Sequence, residues 1–358
     1  MRKNFKVILD CDDVLYHCNS IAVNRLNKER NTNYSLYDIN EWGVLGNDLD
    51  ERLRYFTEPE FIGSLPLKKG AKEFVHELSK KAEIFIATNV NHACAGARFE
   101  SILRNFPEIS AGNIIIGGRK DLLVADMMLD DATFNLENAN VEFPVLMQQP
   151  WNYVSGMGML SVNGYDEFLK LVDIIKDSKY NLNSSRKDLV SLIGACGSGK
   201  KNVLNSLLAT GRFKRVDTYT TKSSKSQDSE GYIYMTSAEF LLRKEQGYFS
   251  ETSSYMGDFY GVRDCDIQNI IDDGFIPVLI IDVNGAMAIR KSFNTLNVFV
   301  KAPKVKCIEN ILCKGLPTDE AAKKIVALDF ELHNENLCDL VIVNEDINLI
   351  LEELKEGN

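Results

Sequence analysis

Two groups of residues in this chain have the types and the spacing that phosphate chemistry needs. The first is the run Asp10-Cys11-Asp12-Asp13-Val14, which follows a short apolar stretch. Because alternate residues of a strand point to the same side, Asp10 and Asp12 are expected to face one site. One carboxylate there can attack phosphorus and the other can transfer protons, with a divalent cation to stabilise the phosphoryl group. This run therefore indicates removal of a phosphoryl group.

The second group is residues 194–200, with the sequence Gly-Ala-Cys-Gly-Ser-Gly-Lys, between an apolar stretch and a helical pattern. In that context backbone N–H groups and a helix N-terminus hold the phosphates of a nucleoside triphosphate, and the lysine reaches the terminal ones. The candidate ATP-binding residues are Gly194, Gly197, Ser198, Gly199, Lys200 and Lys201. Lys201 stands where Ser or Thr normally offers magnesium a hydroxyl, and an ammonium group cannot ligate a metal. Water or Asp282 would have to complete the metal shell.

Other polar residues would complete the first site. Further carboxylates follow a later apolar stretch. The candidate magnesium ligands are Asp10, Asp12, Asp130 and Asp131, with Asp126 as a further candidate. Lys120 can offset the accumulated negative charge, while Thr88 and Asn89 can donate hydrogen bonds to phosphate oxygens. Both sets of groups are expected at the carboxyl ends of strands, where open α/β sheets bind ligands.

Apolar runs alternate with helical patterns in both halves, which predicts an α/β fold with parallel sheets. Strands are expected at residues 7–9, 84–87, 114–116, 127–129 and 144–147, and then at 189–193, 276–281, 296–300 and 340–343. A helix is expected at residues 200–208. Residues 18–67 are too long for a simple crossover and rich in aromatics, so an inserted cap is predicted. Trp42 of this cap could stack on a base or pack in the core.

The length of 358 residues suggests two domains, at roughly 150 residues per domain. A helix ending near residue 175 precedes a polar stretch without periodicity. The predicted domains are residues 1–178 and 188–358, with a linker at 179–187. No internal repeat is present.

Bulk properties exclude several classes of protein. A net charge of −10 argues against an extended nucleic-acid surface, because such surfaces neutralise phosphates with clustered Lys and Arg. No segment approaches the roughly 18 apolar residues of a membrane span, and the N-terminus is typical of a first strand rather than a signal peptide. The eight cysteines lack zinc-site spacing, which favours reduced thiols in the cytoplasm.

The ordered set D-x-D-x-V, Thr88-Asn89, Lys120 and D-x-x-x-D-D resembles the haloacid dehalogenase (HAD)-like phosphatases. The runs at residues 61–71, 84–89 and 119–131 look like the 5′-deoxyribonucleotidase family, over about residues 5–175. This resemblance implies a Rossmann-like sheet with a helical cap. It assigns Asp10 as nucleophile, Asp12 as general acid/base, Asp130 as magnesium ligand, and Thr88, Asn89 and Lys120 as phosphate contacts. Asp13 replaces the usual Gly, a change that a turn tolerates and that can add a carboxylate near the metal.

The runs at residues 218–225, 230–234, 249–251, 257–261 and 280–285 resemble guanylate kinase, over about residues 188–356. The resemblance implies contacts of Lys222, Lys225, Tyr234 and Tyr260 with the acceptor monophosphate and of Thr218 and Glu251 with its base. Lys222, Lys225 and Lys314 stand where the family has Arg, so the bidentate grip on phosphate is lost. Ile280 replaces an acidic residue two positions before Asp282, which leaves the acceptor base open.

The sequence therefore predicts a bifunctional enzyme: a magnesium-dependent 5′-nucleotidase fused to an ATP-dependent nucleoside monophosphate kinase. Because two activities that shared one substrate would compete for it wastefully, the two sites are expected to prefer different bases. One alternative is a phosphatase and kinase that process polynucleotide ends. Another is an active phosphatase with a nucleotide-binding regulatory domain, since guanylate-kinase-like domains also serve as binding modules.

Overall fold

The computed structural model describes residues 5–180, 187–222, 231–255, 257–290, 292–343 and 345–356. The chain forms two compact units, one of residues 1–156 with 160–176 and one of residues 157–159 with 177–358. Most of the predicted linker lies outside the described residues. The helix before it extends to Tyr180, beyond the expected end near residue 175.

The first unit is built around one parallel sheet. Its strands are β1 (Lys6–Leu9), β2 (Glu83–Thr88), β3 (Ile114–Ile116), β4 (Val124–Asp130), β5 (Asn140–Met147) and β6 (Ser161–Val162). Its helices are α1 (Asn19–Arg30), α2 (Pro59–Ser64), α3 (Ala71–Ser79), α4 (Ala95–Asn105), α5 (Thr133–Glu137) and α6 (Tyr165–Tyr180). The strand order is β3-β2-β1-β4-β5-β6, and every neighbouring pair is parallel.

The sheet order places the candidate residues of the first site side by side. Strand β1 is central because its side chains Val7, Ile8 and Leu9 are all buried, as expected for a strand that is covered on both faces. Its neighbours β2 and β4 run in the same direction. The residues that end or follow these three strands therefore meet at one edge of the sheet.

The segment between β1 and β2 inserts additional helices into the first unit. It contains α1 and α2 together with 3₁₀ segments at Leu36–Asp38 and Asp48–Thr57. Buried residues from three of these segments, Leu26, Leu49 and Ile62, show that the insertion is packed rather than extended. This agrees with the helical cap expected from the sequence.

The second unit contains two sheets. Its strands are β7 (Leu189–Ile193), β8 (Phe213–Arg215), β9 (Thr218–Thr220), β10 (Tyr232–Tyr234), β11 (Glu251–Tyr255), β12 (Asp258–Val262), β13 (Ile276–Ile280), β14 (Thr295–Lys301) and β15 (Leu340–Val343). Its helices are α7 (Lys200–Ala209), α8 (Ser237–Glu245), α9 (Asp264–Asp272), α10 (Val283–Ile289), α11 (Lys304–Leu312), α12 (Thr318–His333) and α13 (Asn348–Glu356).

The larger sheet of this unit is parallel, with the order β15-β14-β7-β13-β8. All five residues of β7 are buried, so this strand sits at the centre of the core and delivers the glycine-rich loop to α7. The α/β class with parallel sheets in both halves is confirmed.

The smaller sheet, with the order β10-β9-β12-β11, was not expected from the sequence. It is mixed: β9 pairs in parallel with β10 and antiparallel with β12. Strands β9 and β10 have three residues each, too few for an alternating pattern to stand out. Throughout the described ranges, no helix has the length and apolar character needed to cross a membrane.

Candidate active sites

Three carboxylates and one lysine form a buried cluster at the carboxyl edge of the first sheet. Asp10 follows β1, Asp130 is the last residue of β4, and Asp131 comes directly after it. Each offers a carboxylate oxygen within 4.8 Å of the others, and all three residues are buried. The Lys120 ammonium group donates to Asp10 Oδ1 at 2.7 Å and to Asp130 Oδ2 at 2.6 Å. The sequence placed these four residues in one site, and the structure brings them together.

Burial and mutual repulsion make the carboxyl groups of the cluster costly to ionise. Burial raises the pKa of Asp10 to about 7, against the attraction of Lys120. Burial also raises the pKa of Asp131, and repulsion from Asp130 and Asp10 adds to this. Burial opposes the charge of Lys120, but the carboxylates of Asp10 and Asp130 outweigh it and raise the lysine pKa. With all three ionised, the carboxylates and the ammonium group would carry two negative charges, which is the charge that a bound Mg²⁺ would neutralise.

The donor set fits a hard divalent cation. Carboxylate oxygens are the ligands that Mg²⁺ prefers, and neighbouring groups already orient two of the three. Trp151 Nε1 donates to Asp131 Oδ2 at 2.8 Å. Asp130 accepts from the Ala132 backbone N–H at 2.9 Å and from the Asn135 amide. Outer contacts of this kind fix the direction in which a ligand's lone pairs point.

Thr88 and Asn89 lie where a phosphate group could meet them. Thr88 is fully buried at the end of β2, and its hydroxyl makes no hydrogen bond within the described part of the chain. An orphaned hydroxyl at a strand end is a ready donor for an anion. Asn89 follows, and its amide lies against Gly118, two positions before Lys120.

An open cleft adjoins this cluster. It has a volume of about 280 Å³ and is lined by Gly118, Arg119, Lys120, Asp121, Phe134, Asn135 and Asn138. The Phe134 ring is 50% exposed and lies 5.5 Å from the ring of Trp42, which is 47% exposed. Trp42 is therefore not a core residue. It forms an accessible aromatic surface together with Phe134.

Asp12, Asp13 and Asp126 do not join the carboxylate cluster. Asp12 Oδ1 accepts from the Arg98 guanidinium and from Cys18 Sγ. Asp126, four positions before Asp130 on β4, accepts from the Lys6 backbone N–H at 2.7 Å, and four strand residues span about 13 Å.

The Asp13 side chain holds the start of α1 instead of adding a carboxylate to the cluster. The carboxylate accepts from the backbone N–H groups of Cys18 and Asn19 and from the Asn19 amide. Its backbone φ is +52°, in the left-handed region that the usual Gly would occupy freely. The turn therefore tolerates Asp13, and its carboxylate serves to cap the helix.

In the second unit, the loop between β7 and α7 is shaped by its glycines. Gly197 and Gly199 have φ values of +84° and +97°, and a Cβ on Gly197 would lie 2.7 Å from the Cys307 carbonyl oxygen. The loop is also braced from outside, because the Cys196 N–H donates to Glu331 Oε2 at 2.7 Å. The backbone is thus held in a conformation that only glycine allows at these positions.

Lys200 begins α7 and turns back over this loop. Its ammonium group donates to the carbonyl oxygens of Gly194 and Ala195. Burial lowers the pKa of Lys200, and the nearby charge of Lys314 acts in the same direction. Two cations therefore stand near the loop, where the phosphates of a nucleotide could bind.

Neither Lys201 nor Asp282 is placed as a metal ligand here. Lys201 is the exposed second residue of α7. Asp282 caps α10, with Oδ1 accepting from the Gly285 N–H at 2.8 Å. Within the ranges given above, the group of Asp10, Asp130 and Asp131 is the cluster of metal-ligating side chains that the structure assembles.

The smaller sheet brings together several of the predicted acceptor residues. Tyr234, Thr220 and Tyr260 are register partners on three adjacent strands, so their side chains share one face. Thr218 lies two positions before Thr220 and faces the same way. The opposite face packs on an aromatic core that includes Tyr219, Phe240 and Phe249.

Three further acceptor candidates are less defined. Lys222 follows β9 and lies close to Asp258. Burial raises the pKa of Asp258, and the positive charge of Lys222 partly offsets this increase. Glu251 begins β11. Lys225 lies outside the described residues.

Sequence reasoning missed Arg98 and Trp151. Arg98 and Ile102 are buried on α4, and buried Cys94 precedes that helix at the same spacing, so a charged residue in an apolar i, i+4 pattern was a usable signal. Trp151 contacts Asp131 across 20 residues of chain, and no local pattern reports such a contact.

Magnesium is expected to raise the melting temperature of the metal-free protein by about 5 °C or more at concentrations well above its Kd. Below pH 7 the raised pKa of Asp10 leaves it protonated, so Mg²⁺ must displace a proton and the shift should be smaller at pH 5.5 than at pH 8. Scanning fluorimetry with and without MgCl₂ measures this. Asp131→Asn should lose the shift and Asp126→Asn should keep it; equal shifts in both variants would place the metal elsewhere.

Comparison with known proteins matches a family model to each half of the chain. Residues 4–177 match the model described as 5′ nucleotidase, deoxy (Pyrimidine), cytosolic type C protein, and residues 185–357 match the guanylate kinase model. The guanylate kinase of Thermotoga maritima is 30% identical over 177 residues, which cover 46% of this chain and 82% of that protein.

Two solved structures extend the comparison. The structure of guanylate kinase from Anaplasma phagocytophilum is 22% identical in sequence. The matched region covers 48% of this chain and 84% of that chain, with a TM-score of 0.36. A haloacid dehalogenase-like hydrolase from Burkholderia xenovorans is 15% identical and covers 50% of this chain and 99% of that chain, with a TM-score of 0.33. The two resemblances drawn from the sequence are confirmed by the family models.

Proposed function

Because the chain belongs to the guanylate kinase family through residues 185–357 and carries a HAD-like 5′-nucleotidase domain before it, we propose that it is a bifunctional enzyme of nucleotide metabolism. The first unit removes the phosphate of a (deoxy)nucleoside monophosphate. The second transfers a phosphoryl group from ATP to a nucleoside monophosphate. The observation that carries the first activity is the buried cluster of Asp10, Asp130 and Asp131 around Lys120.

The first chemical step forms a phospho-aspartate. An oxygen of Asp10 attacks phosphorus, the bond from phosphorus to the 5′ oxygen breaks, and Asp12 gives its proton to that oxygen as the nucleoside leaves. Lys120 and the Thr88 hydroxyl hold the phosphoryl oxygens. Lys120 uses two of its three N–H donors on Asp10 and Asp130, so one donor remains for the substrate.

The second step releases phosphate. Water attacks phosphorus and gives a proton to Asp12, and the bond between phosphorus and Asp10 breaks. Asp10, Asp130 and Asp131 would hold Mg²⁺, which neutralises charge on the phosphoryl oxygens. Burial keeps bulk water away from the carboxylates, which strengthens the electrostatic contacts inside the site.

The exposed pair of Trp42 and Phe134 supports recognition of a base near the phosphatase site. Flat aromatic side chains offer a stacking surface for a nucleobase, and Phe134 lines the cleft beside Lys120. The description of the matching family model favours a pyrimidine deoxynucleoside monophosphate as substrate.

The kinase proposal is supported by the glycine-rich loop and the face of the smaller sheet. The loop and α7 offer backbone N–H groups, and Lys200 lies against the loop to meet the terminal phosphates of ATP. Tyr234, Tyr260 and Lys222 are proposed to hold the acceptor phosphate, with Thr218 and Glu251 toward its base. Ile280 ends β13 at a position where the family commonly has an acidic residue. Because isoleucine cannot accept a hydrogen bond from a base, this substitution favours an acceptor base that does not require that acidic residue.

A panel of ribo- and deoxynucleoside monophosphates with magnesium, with and without ATP, tests both activities in the full chain. We expect phosphate release to favour one base and ADP formation to favour another, because two activities on one monophosphate would compete for it, one removing the phosphate that the other extends. The same preferred nucleotide at both sites would contradict this division.

Oligonucleotide ends belong in the same panel. The oligonucleotides carry phosphorylated or unphosphorylated 5′ or 3′ ends. If the protein acts on these ends faster than on free mononucleotides, its function is the processing of polynucleotide ends. The net charge of −10 argues for mononucleotides, because a strand-binding surface gains affinity from clustered cations.

A further inference from the structure

A fully buried arginine contacts the proposed general acid. The Arg98 side chain has 0% exposure, whereas that of Asp12 is 30% exposed. The guanidinium donates through Nη2 to Asp12 Oδ1, and Cys18 Sγ lies 2.9 Å from the same oxygen. Tyr16 covers the guanidinium, with its ring centroid 4.8 Å from Cζ. Two donors thus converge on one oxygen of Asp12.

Burial of Arg98 is not explained by stability. Its Nε and Nη1 groups are buried and make no hydrogen bond within the described residues. A buried donor without a partner and a buried ion pair each carry a desolvation cost, and apolar residues of similar volume often replace such pairs without loss of stability. An arrangement that costs stability beside reacting groups is typical of a functional site.

We propose that Arg98 is a positioning residue for the phosphatase reaction, which rests on the proposed function of the first unit. By holding Oδ1 of Asp12, Arg98 fixes the carboxyl group so that the other oxygen, Oδ2, exchanges protons with the leaving group and then with water. Arg98 acts through Asp12 rather than on the substrate, because its side chain is fully covered.

The position of Arg98 fits this role. It lies on α4, the helix that follows β2 and Thr88, so one βα unit supplies both a phosphate donor and the group that orients the acid. Burial of its partners Cys18 and Tyr16 fixes the guanidinium itself. The Asp12 carboxyl group is therefore held from the protein side while its exposed part faces solvent.

Substrates with different leaving groups separate positioning from folding. A nucleoside monophosphate expels an alkoxide that needs a proton, whereas p-nitrophenyl phosphate expels a phenolate that is stable without one. Arg98→Met is expected to lower kcat on the nucleotide about 10²-fold, the size of a lost general-acid contribution, with KM changed by less than about twofold. On p-nitrophenyl phosphate kcat/KM, which covers only the steps up to nitrophenolate release, should change little, although kcat falls where the later attack of water becomes limiting. Arg98→Lys should recover part of the loss on the nucleotide.

Three controls make the test decisive. Arg104→Met removes an exposed arginine from the same helix, which donates to the Gly63 carbonyl oxygen. It should leave the activity on both substrates unchanged and the melting temperature nearly so. Asp12→Asn should show the same substrate split as Arg98→Met. The double variant should be no worse than Asp12→Asn alone, because the two residues act as one unit.

Equal losses in kcat/KM on both substrates would overturn the proposal and make Arg98 structural. A fall in melting temperature in both Arg98 variants, or additive losses in the double variant, would do the same. These outcomes are distinct from failure of the proposed function. If Asp10→Asn releases phosphate at the wild-type rate, the phosphatase assignment itself is wrong. If Asp10→Asn is inactive while Arg98→Met lowers kcat/KM equally on both substrates, only the role of Arg98 is wrong.

Discussion

Asp10→Asn is expected to lower phosphate release from nucleoside monophosphates by about 10⁴-fold or more, the scale seen when a nucleophile is removed. The amide has nearly the same shape as the carboxylate but cannot form the phospho-aspartate. Burial raises the pKa of Asp10, so the native protein bears a cost for its charge, and the variant should melt at the same or a higher temperature. Phosphate release in a coupled assay, with scanning fluorimetry on the same samples, measures both effects.

Asp126→Asn is the matched control for this variant. It changes an aspartate of the same sheet whose carboxylate accepts from the Lys6 backbone N–H instead of joining the cluster. Its phosphatase activity should match the wild type, and ADP formation should be unchanged in both variants because it depends on the other unit. Asp10→Asn with near wild-type phosphate release would show that another group is the nucleophile.

Lys200→Ala is expected to reduce ADP formation from ATP and a nucleoside monophosphate by about 10²- to 10³-fold, as for loss of a preorganised charge at the transition state. The lysine is a half-buried cation that lies against the glycine-rich loop, and alanine leaves the phosphoryl charge without it. Phosphate release by the first unit should be unaffected. Lys214→Ala, which removes an exposed lysine paired with Asp273, is the control and should retain both activities.

The same variant decides between catalysis and regulation in the second unit. If the wild type never consumes ATP, yet ATP changes its phosphatase rate and Lys200→Ala abolishes that change, the second unit senses nucleotides. Lys201 is the reason to include this arm, because it removes the hydroxyl that normally binds magnesium. Measurable ATP consumption at the same rate in wild type and Lys200→Ala would contradict both the catalytic and the regulatory role of the loop.

The sequence predicted the positions of the central strands and of the reacting groups at their ends. The bounds expected for β3, β7 and β15 agree with the structure, and α7 begins at Lys200 as expected. These elements follow from apolar runs, whose period is local and can be read along the chain. Since parallel strands present their carboxyl ends at one edge, Asp10, Lys120 and Asp130 could be placed in one site before any contact was known.

Tertiary structure decided how the carboxylates divide their roles. The alternation of a strand predicted that Asp10 and Asp12 face one site, but the chain turns after β1. Asp10 joins the metal-ligating cluster, Asp12 pairs with Arg98, and Asp13 caps α1. Which partner each carboxylate meets depends on Arg98 and Asn19, residues supplied by helices whose packing no local pattern encodes.

The two runs suited to phosphate chemistry, residues 10–14 and 194–200, were thus determined by the sequence alone, because each is a short run that follows one strand. The surroundings that make them sites were decided by folding. Trp151, in the connection after β5, donates to Asp131. Glu331 on α12 accepts a hydrogen bond from the glycine-rich loop. The mixed sheet aligns Tyr234 with Tyr260 on either side of Thr220. These contacts join residues far apart in the chain, and they form only because burial of the two cores brings those segments together.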